Sequence, residues 1–319
     1  MNRNTKLAIC IIVIFLVLGC IVGFSLKYNR SSEDDEKLTI VATTFSTYDF
    51  AKQIAGDKAD VIFLLGPGVD SHSYEPSAAD LIKIQNADIF VYIGGEMEKW
   101  SDKILESDIV NKEKTTIIKA TDCIDLIEET EVDGAEQEDE EEEGAFDEHI
   151  WSSPANAIKM VQYIAEKFSE KDNENKEFYL QNANEYIAKI KDIQAKIQDI
   201  VNNKKRDRLV FGDKMPMQYF LNEYGLKASA AFNGCSTEAE PSAKTIAYLI
   251  NKVKQENIPV VLYIELSTGK TAKSIAQETN AKALQIQALH NISKDDFKNG
   301  ETYVSLMERN IDVLKEALL

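Results

Sequence analysis

Only three histidines occur in the 319 residues: His72 in GPGVDSHSYEPS, His149 in FDEHIWSSPANA and His290 in IQALHNISKDD. Imidazole is the commonest metal-binding side chain, and His72 and His149 have carboxylates as close sequence neighbours. Two more acids, Asp213 closing RLVFGD and Glu265 near the close of PVVLYIEL, stand where regular elements should end. Taken singly, each histidine reads as a surface residue placed by chance. Taken together, they are the donor set for a divalent cation. The chain has no HExxH, no GxSxG and no Gly-rich phosphate loop, so covalent or phosphoryl chemistry has no motif to rest on.

Such donors need a frame. Short β-branched runs, LTIVATT, DVIFLL, DIFVYIG and TTIIKA, alternate with helical patterns near residues 46–55, 77–86 and 96–107. A second series runs through RLVFGD, KASAAF, PVVLYIEL and AKALQIQ, again with helices between. This βαβα rhythm predicts an α/β fold of two lobes, each a parallel sheet covered by helices. Between them Pro154 opens one helix behind Ser152 and Ser153, and a second helix spans about 175–203. Its apolar positions Tyr179, Ala183, Tyr186, Ile190, Ile193, Ile197, Ile200 and Val201 recur at spacings of three and four. A helix of that length reaches about 40 Å and can join the lobes as a stiff strut. The expected organisation is a leader and linker at 1–37, an amino-terminal lobe at 38–153 with an acidic loop at 131–148, connecting helices at 154–207 and a carboxyl-terminal lobe at 208–319.

In open parallel sheets ligands bind beyond the carboxyl ends of the strands. His72 follows DVIFLL, His290 follows AKALQIQ, Asp213 and Glu265 end strands of the second lobe, and His149 precedes the first connecting helix. All five are therefore expected at one crevice between the lobes.

The formal charge of -18 argues against a nucleic-acid partner, which demands a basic surface, and is compatible with attracting cations. At the amino terminus Arg3 and Lys6 precede an apolar run over residues 7–26, an export signal. Two outcomes fit it. Gly19 before Cys20 resembles a lipobox, which leaves Cys20 lipidated; the run is also long enough to stay as an uncleaved membrane anchor. Both put the folded part outside the membrane. Cys123 and Cys235 are too far apart to suggest a disulfide framework; Cys123 reads as a small buried hydrophobe, and Cys235, in the polar loop FNGCSTEAEP, either as another or as a thiolate ligand where a metal lies near. Residues 131–148 hold eleven acids and no base. Such a run is expected to be a disordered, solvated loop with no task of its own, with weak gathering of cations near the crevice as the other reading.

The motifs GPGVDSHSYEPSAADL, GGEMEKW, DEHIWSSPANA, YFLNEYGL and TYVSLMERNIDVLKEAL resemble the cluster A-I substrate-binding proteins of zinc and manganese ABC transporters, over nearly all of the chain beyond the leader. The resemblance implies two α/β lobes joined by a rigid helix, with the metal between them, and matches His72 and His149 to the family's first-lobe ligands. The second lobe departs from the pattern. Lys214 stands where a third His or Glu is usual, with Asp213 one position away, and Gln287 stands where an Asp is usual, with His290 three residues on. An ammonium is a poor ligand, so the site has to be rebuilt. The expected set is His72, His149, Glu265 and His290, with Asp213 in reserve for either second-lobe ligand and backbone bonding as the other reading of Glu265.

Three imidazoles and a carboxylate suit Zn²⁺; Mn²⁺ gains if both acids bind. The expected function is capture without catalysis: a membrane-anchored monomer that holds the ion and delivers it to an ABC permease. The rivals are an extracellular metallohydrolase with Glu265 as base and a surface adhesin that uses the acidic loop as a contact.

Overall fold

In the computed structural model the described residues are 37–136, 146–234 and 240–319. The first lobe runs β1 (Leu38–Ala42), α1 (Phe45–Ala55), β2 (Ala59–Phe63), α2 (Ala78–Gln85), β3 (Ile89–Tyr92), α3 (Lys99–Glu106) and β4 (Thr116–Lys119). Its strands pair in the order β2-β1-β3-β4, all parallel. Then come the connecting helices α4 (Pro154–Lys171) and α5 (Lys176–Asn202). The second lobe runs β5 (Arg208–Lys214), α6 (Gln218–Tyr224), β6 (Lys227–Phe232), α7 (Ala243–Gln255), β7 (Val260–Ile264), α8 (Lys270–Thr279), β8 (Lys282–Ile286), α9 (Lys294–Lys298) and α10 (Tyr303–Leu318). Its order, β6-β5-β7-β8, is again fully parallel. The lobes thus share one topology, and the α/β architecture expected from the sequence is the one found.

Strands buried on both faces need apolar residues at every position, which the β-branched runs supply. In β1, Ile40 and Ala42 face a core shared with the connecting helices, and Val41 faces a smaller cluster with Phe90 and Ile104 on the sheet's other side. Val210 and Val261 do the same in the second sheet. The shared core runs from Ile40 through Trp151 and Ile190 to Phe211 and Leu314, so both sheets pack against one apolar body.

Helix starts follow from capping chemistry. Thr44, Ser77 and Thr302 each form reciprocal capping boxes. Ser153 accepts the Asn156 N–H with Pro154 at the first helical position. The α5 stripe buries every apolar residue expected of it, with Ile187 added. This helix ties both lobes: Asn182 Nδ2 donates to the Ile54 carbonyl at 3.0 Å, and Lys196 reaches Glu308 on α10. Between them Tyr186 donates its hydroxyl to the buried Asp49 of α1, whose Oδ2 also accepts the Tyr303 N–H at 3.0 Å. One carboxylate therefore keys α1, α5 and α10 together.

The acidic stretch departs from the expected loose loop at both of its ends. Asp133 accepts from Ser229 at 2.8 Å and pairs with Arg208 and Lys252, both at 3.1 Å. The Glu136 N–H bonds the Ala231 carbonyl, and its side chain accepts the Ser242 N–H. Like charge favours disorder only where counter-charges are absent, and β5 and α7 supply them. At the other end Phe146 bridges to Glu128. Residues 137–145, Cys235 and the leader with Cys10 and Cys20 lie outside the described residues. Cys123 is half-buried against the shared core and donates its thiol to the Ala120 carbonyl.

Candidate metal centre

Each histidine is set by its own device. After β2 the chain turns through Gly66 and Gly68, with φ of 73° and 80°, a backbone that side chains resist. Asp70 Oδ1 then accepts the His72 N–H at 2.9 Å. His149 is fully buried, and Asp147 Oδ1 sits 2.7 Å from its N–H and 2.8 Å from its Nδ1. The acceptor holds a proton on Nδ1 and leaves Nε2 buried and without a hydrogen-bond partner, free to meet an ion once its own proton is lost. A carboxylate behind a ligating imidazole is the arrangement that orients it and raises its basicity.

His290 is held from further away. Its N–H donates to Glu265 Oε1 at 2.9 Å, and the Ala288 N–H donates to Oε2 at 2.6 Å. Leu289 between them adopts φ 64°, a left-handed conformation that costs a leucine about 1 kcal/mol or more. The Ala288 carbonyl accepts from Trp151 Nε1 at 3.0 Å, and the indole lies edge-on to both His149 and His290. Asn310 grips Gln287 by its N–H and its carbonyl, both at 2.8 Å.

The three rings meet. Their centroids lie 4.4 to 5.8 Å apart, and His72 Nε2 is 3.1 Å from His290 Nε2. One ligand atom from each histidine can be chosen so that all lie within 4.8 Å of one another, the one such group among the described residues. Two imidazole nitrogens on one tetrahedral Zn²⁺ stand about 3.3 Å apart, from bonds of about 2.0–2.1 Å, so the His72–His290 spacing fits a shared ion.

Electrostatics agree. Burial lowers His72 to about 3, helped by the charges of His149 and Lys214. Burial likewise drives His290 well below the usual range, with His149, His72 and Lys214 adding to it. Both rings are neutral, as ligands must be. Burial also opposes charge on His149, but Asp147, by charge and hydrogen bond, outweighs it and raises the ring above its ordinary value.

The carboxylates read as ligands from sequence stand differently. Glu265 is not brought into the group: both oxygens are engaged by backbone amides, and burial lifts its carboxyl to about 7 against the pull of those amides. Its position after β7 was legible; the strained 288–290 loop that occupies it was not. Asp213 Oδ1 accepts the Lys214 N–H at 3.0 Å, and Oδ2 is buried without a partner, outside the histidine group. Asp147 and Trp151 were not singled out from sequence, although both flank His149 in DEHIW. An acid two residues before a histidine is the signal that identifies Asp147.

Comparison with known proteins adds independent findings. The family model described as zinc-uptake complex component A, periplasmic, matches residues 40–317. The high-affinity zinc uptake system protein ZnuA of Bacillus subtilis is 34% identical over 312 residues, covering 96% of this chain and 95% of its own. The zinc-binding lipoprotein AdcA of Streptococcus pneumoniae is 36% identical over 300 residues, and the match spans 92% of this chain but 58% of that protein. The crystal structure of the Zn(II)-bound ZnuA-like domain of AdcA superposes with a TM-score of 0.74 at 36% identity, covering 88% of this chain and 98% of the domain. The metal-dependent lipoprotein YcdH of B. subtilis superposes with a TM-score of 0.76 at 33% identity, covering 89% of this chain and 100% of its own. With matched parallel sheets, a helix joining them and histidines converging between them, the chain belongs to the family of zinc-uptake complex component A, the periplasmic ZnuA proteins.

Proposed function

We propose that this chain captures Zn²⁺ in the crevice between its lobes and passes it to an ABC permease in the membrane that anchors it. The observation that carries the reading is the convergence of three imidazoles on one point, one of them presenting a buried Nε2 that no protein group satisfies. A buried ring nitrogen with no partner is unfavourable, and an ion that displaces its proton would engage it together with the two neutral rings beside it. His72, His149 and His290 are the proposed ligands, with a water molecule completing the tetrahedron. Glu265 acts from behind by holding the His290 loop. Nitrogen donors favour Zn²⁺ over Mn²⁺, which prefers oxygen. The zinc named for the B. subtilis and S. pneumoniae relatives supports the same ion.

The location rests on the amino terminus, and the partner is supported by the family's description as a component of a zinc-uptake complex. A cationic start and an apolar run fit an exported protein kept at the outer face of the membrane, either through lipidated Cys20 or through the uncleaved segment. The lipoprotein descriptions of the AdcA and YcdH relatives support the lipid.

The test is direct. Full-length protein in detergent, stripped by chelator, is expected to take up one equivalent of Zn²⁺ with a rise in melting temperature, and zinc-edge absorption should report three imidazoles. Mn²⁺ should bind more weakly. Absence of both uptake and thermal shift with either ion at micromolar concentration rejects the reading.

A further inference from the structure

The loop that carries His290 also holds the loop that carries His72. Asn291 is buried, and its Nδ2 donates to the Gly66 carbonyl at 3.0 Å and to the Val69 carbonyl at 2.6 Å. Its Oδ1 accepts the Ile292 N–H at 2.6 Å, which fixes the amide plane. The Gly68 N–H answers by donating to the Ile292 carbonyl at 2.9 Å. Three hydrogen bonds therefore cross from the second lobe to the GPGVDSH turn of the first, between residues more than 200 apart in sequence. Only a carboxamide does this here. Two carbonyls require two donors from one planar nitrogen, and the opposite edge of the group must accept; aspartate has no donor and serine has one.

The turn needs such a clamp. Gly66 and Gly68 have the freest backbones in the chain's repertoire, and the imidazole of His72 hangs from the end of the segment they form. A loose segment must be ordered whenever its ligand engages the ion, at an entropic cost that weakens binding.

Resting on the capture reading above, we propose that Asn291 is the positioning residue of the metal centre, fixing His72 against His290 before the ion arrives and so setting how long it is retained. Through adjacent residues, one loop supplies a ligand and places another.

The experiment uses full-length protein in detergent and a chelator chase that reads the rate of Zn²⁺ release. Asn291→Ala is expected to release zinc about tenfold faster than wild type. In a His72→Ala background the same change should alter release less than twofold, because the ligand it positions is gone. Equal acceleration in both backgrounds, or none in either, overturns the proposal. Asn291→Ser provides a milder variant if the alanine form does not fold. Hydrogen exchange on the metal-free wild type gives a reading free of any variant: the Gly68 amide should be protected, and rapid exchange there also overturns the proposal. A wild type that binds no zinc rejects the capture reading instead, whatever the exchange at Gly68.

Discussion

The two lobes share a sheet topology but place their histidines by opposite means. In the first, an aspartate two residues earlier accepts the backbone N–H of both His72 and His149, and for His149 the ring Nδ1 as well; only the His72 turn is also clamped from the second lobe, by Asn291. In the second, His290 is set by Glu265, 25 residues away, with Asn310 bracing Gln287 from 23 residues away. A local device survives drift elsewhere in the chain. A distant one couples the ligand to the packing of the whole lobe, and here it holds Leu289 in a strained conformation. The difference teaches how binding is tied to stability: at His149 through one neighbouring charge, and at His290 through the packing of the whole lobe.

The largest expected effect breaks the local side. Asp147→Asn keeps an acceptor but removes the charge behind His149, and should weaken Zn²⁺ binding at pH 8 by about 10- to 100-fold and lower the metal-free melting temperature at pH values below the raised His149 pKa, where the buried ion pair is lost. Calorimetric competition measures the first and thermal scanning the second. Glu265→Gln attacks the distant side. One amide of the 288–290 loop loses its acceptor, so metal-free stability should fall by about 1–3 kcal/mol alongside about tenfold in affinity. Lost affinity with an unchanged melting temperature would instead make Glu265 a ligand.

Acidity sharpens the contrast further. His149 has a raised pKa, so its proton competes with the ion: affinity is full above that value and falls as pH drops through it, by about tenfold per pH unit. His72 and His290, both lowered, stay neutral over the same range. In Asp147→Asn the onset should move to lower pH, because burial then acts on His149 with less opposition. Affinity titrations between pH 5.5 and 8 check this, and superimposable profiles would refute it. The smallest effect belongs to Lys214, whose charge reaches both lowered histidines. Lys214→Met should tighten binding about threefold to tenfold, and less at high salt.

Much of this was legible in the sequence. The sheet strands and the 27-residue span of α5 follow from periodicity, and the start of α4 from the Ser153 cap and Pro154, all of which are local. So does the approach of His72 and His290 to one crevice, since strand ends dictate it, with His149 brought there by the start of the first connecting helix. Glu265 was left between two readings, ligand and backbone-bonded acid, because a carboxylate at a strand end looks the same whether it faces an ion or two backbone amides. The fastening of Asp133 was hidden for a related reason: its counter-charges Arg208 and Lys252 lie 75 and 119 positions on, invisible to a reading of local charge.

Helix α5 contains neither glycine nor proline, and it is bolted to α1 and α10 around Asp49. A beam of this kind has no elbow. Loaded and empty molecules should therefore present the same outline, without the jaw-like closing of hinged receptors, and any protein that must tell them apart has to feel for small differences in the crevice-rim loops.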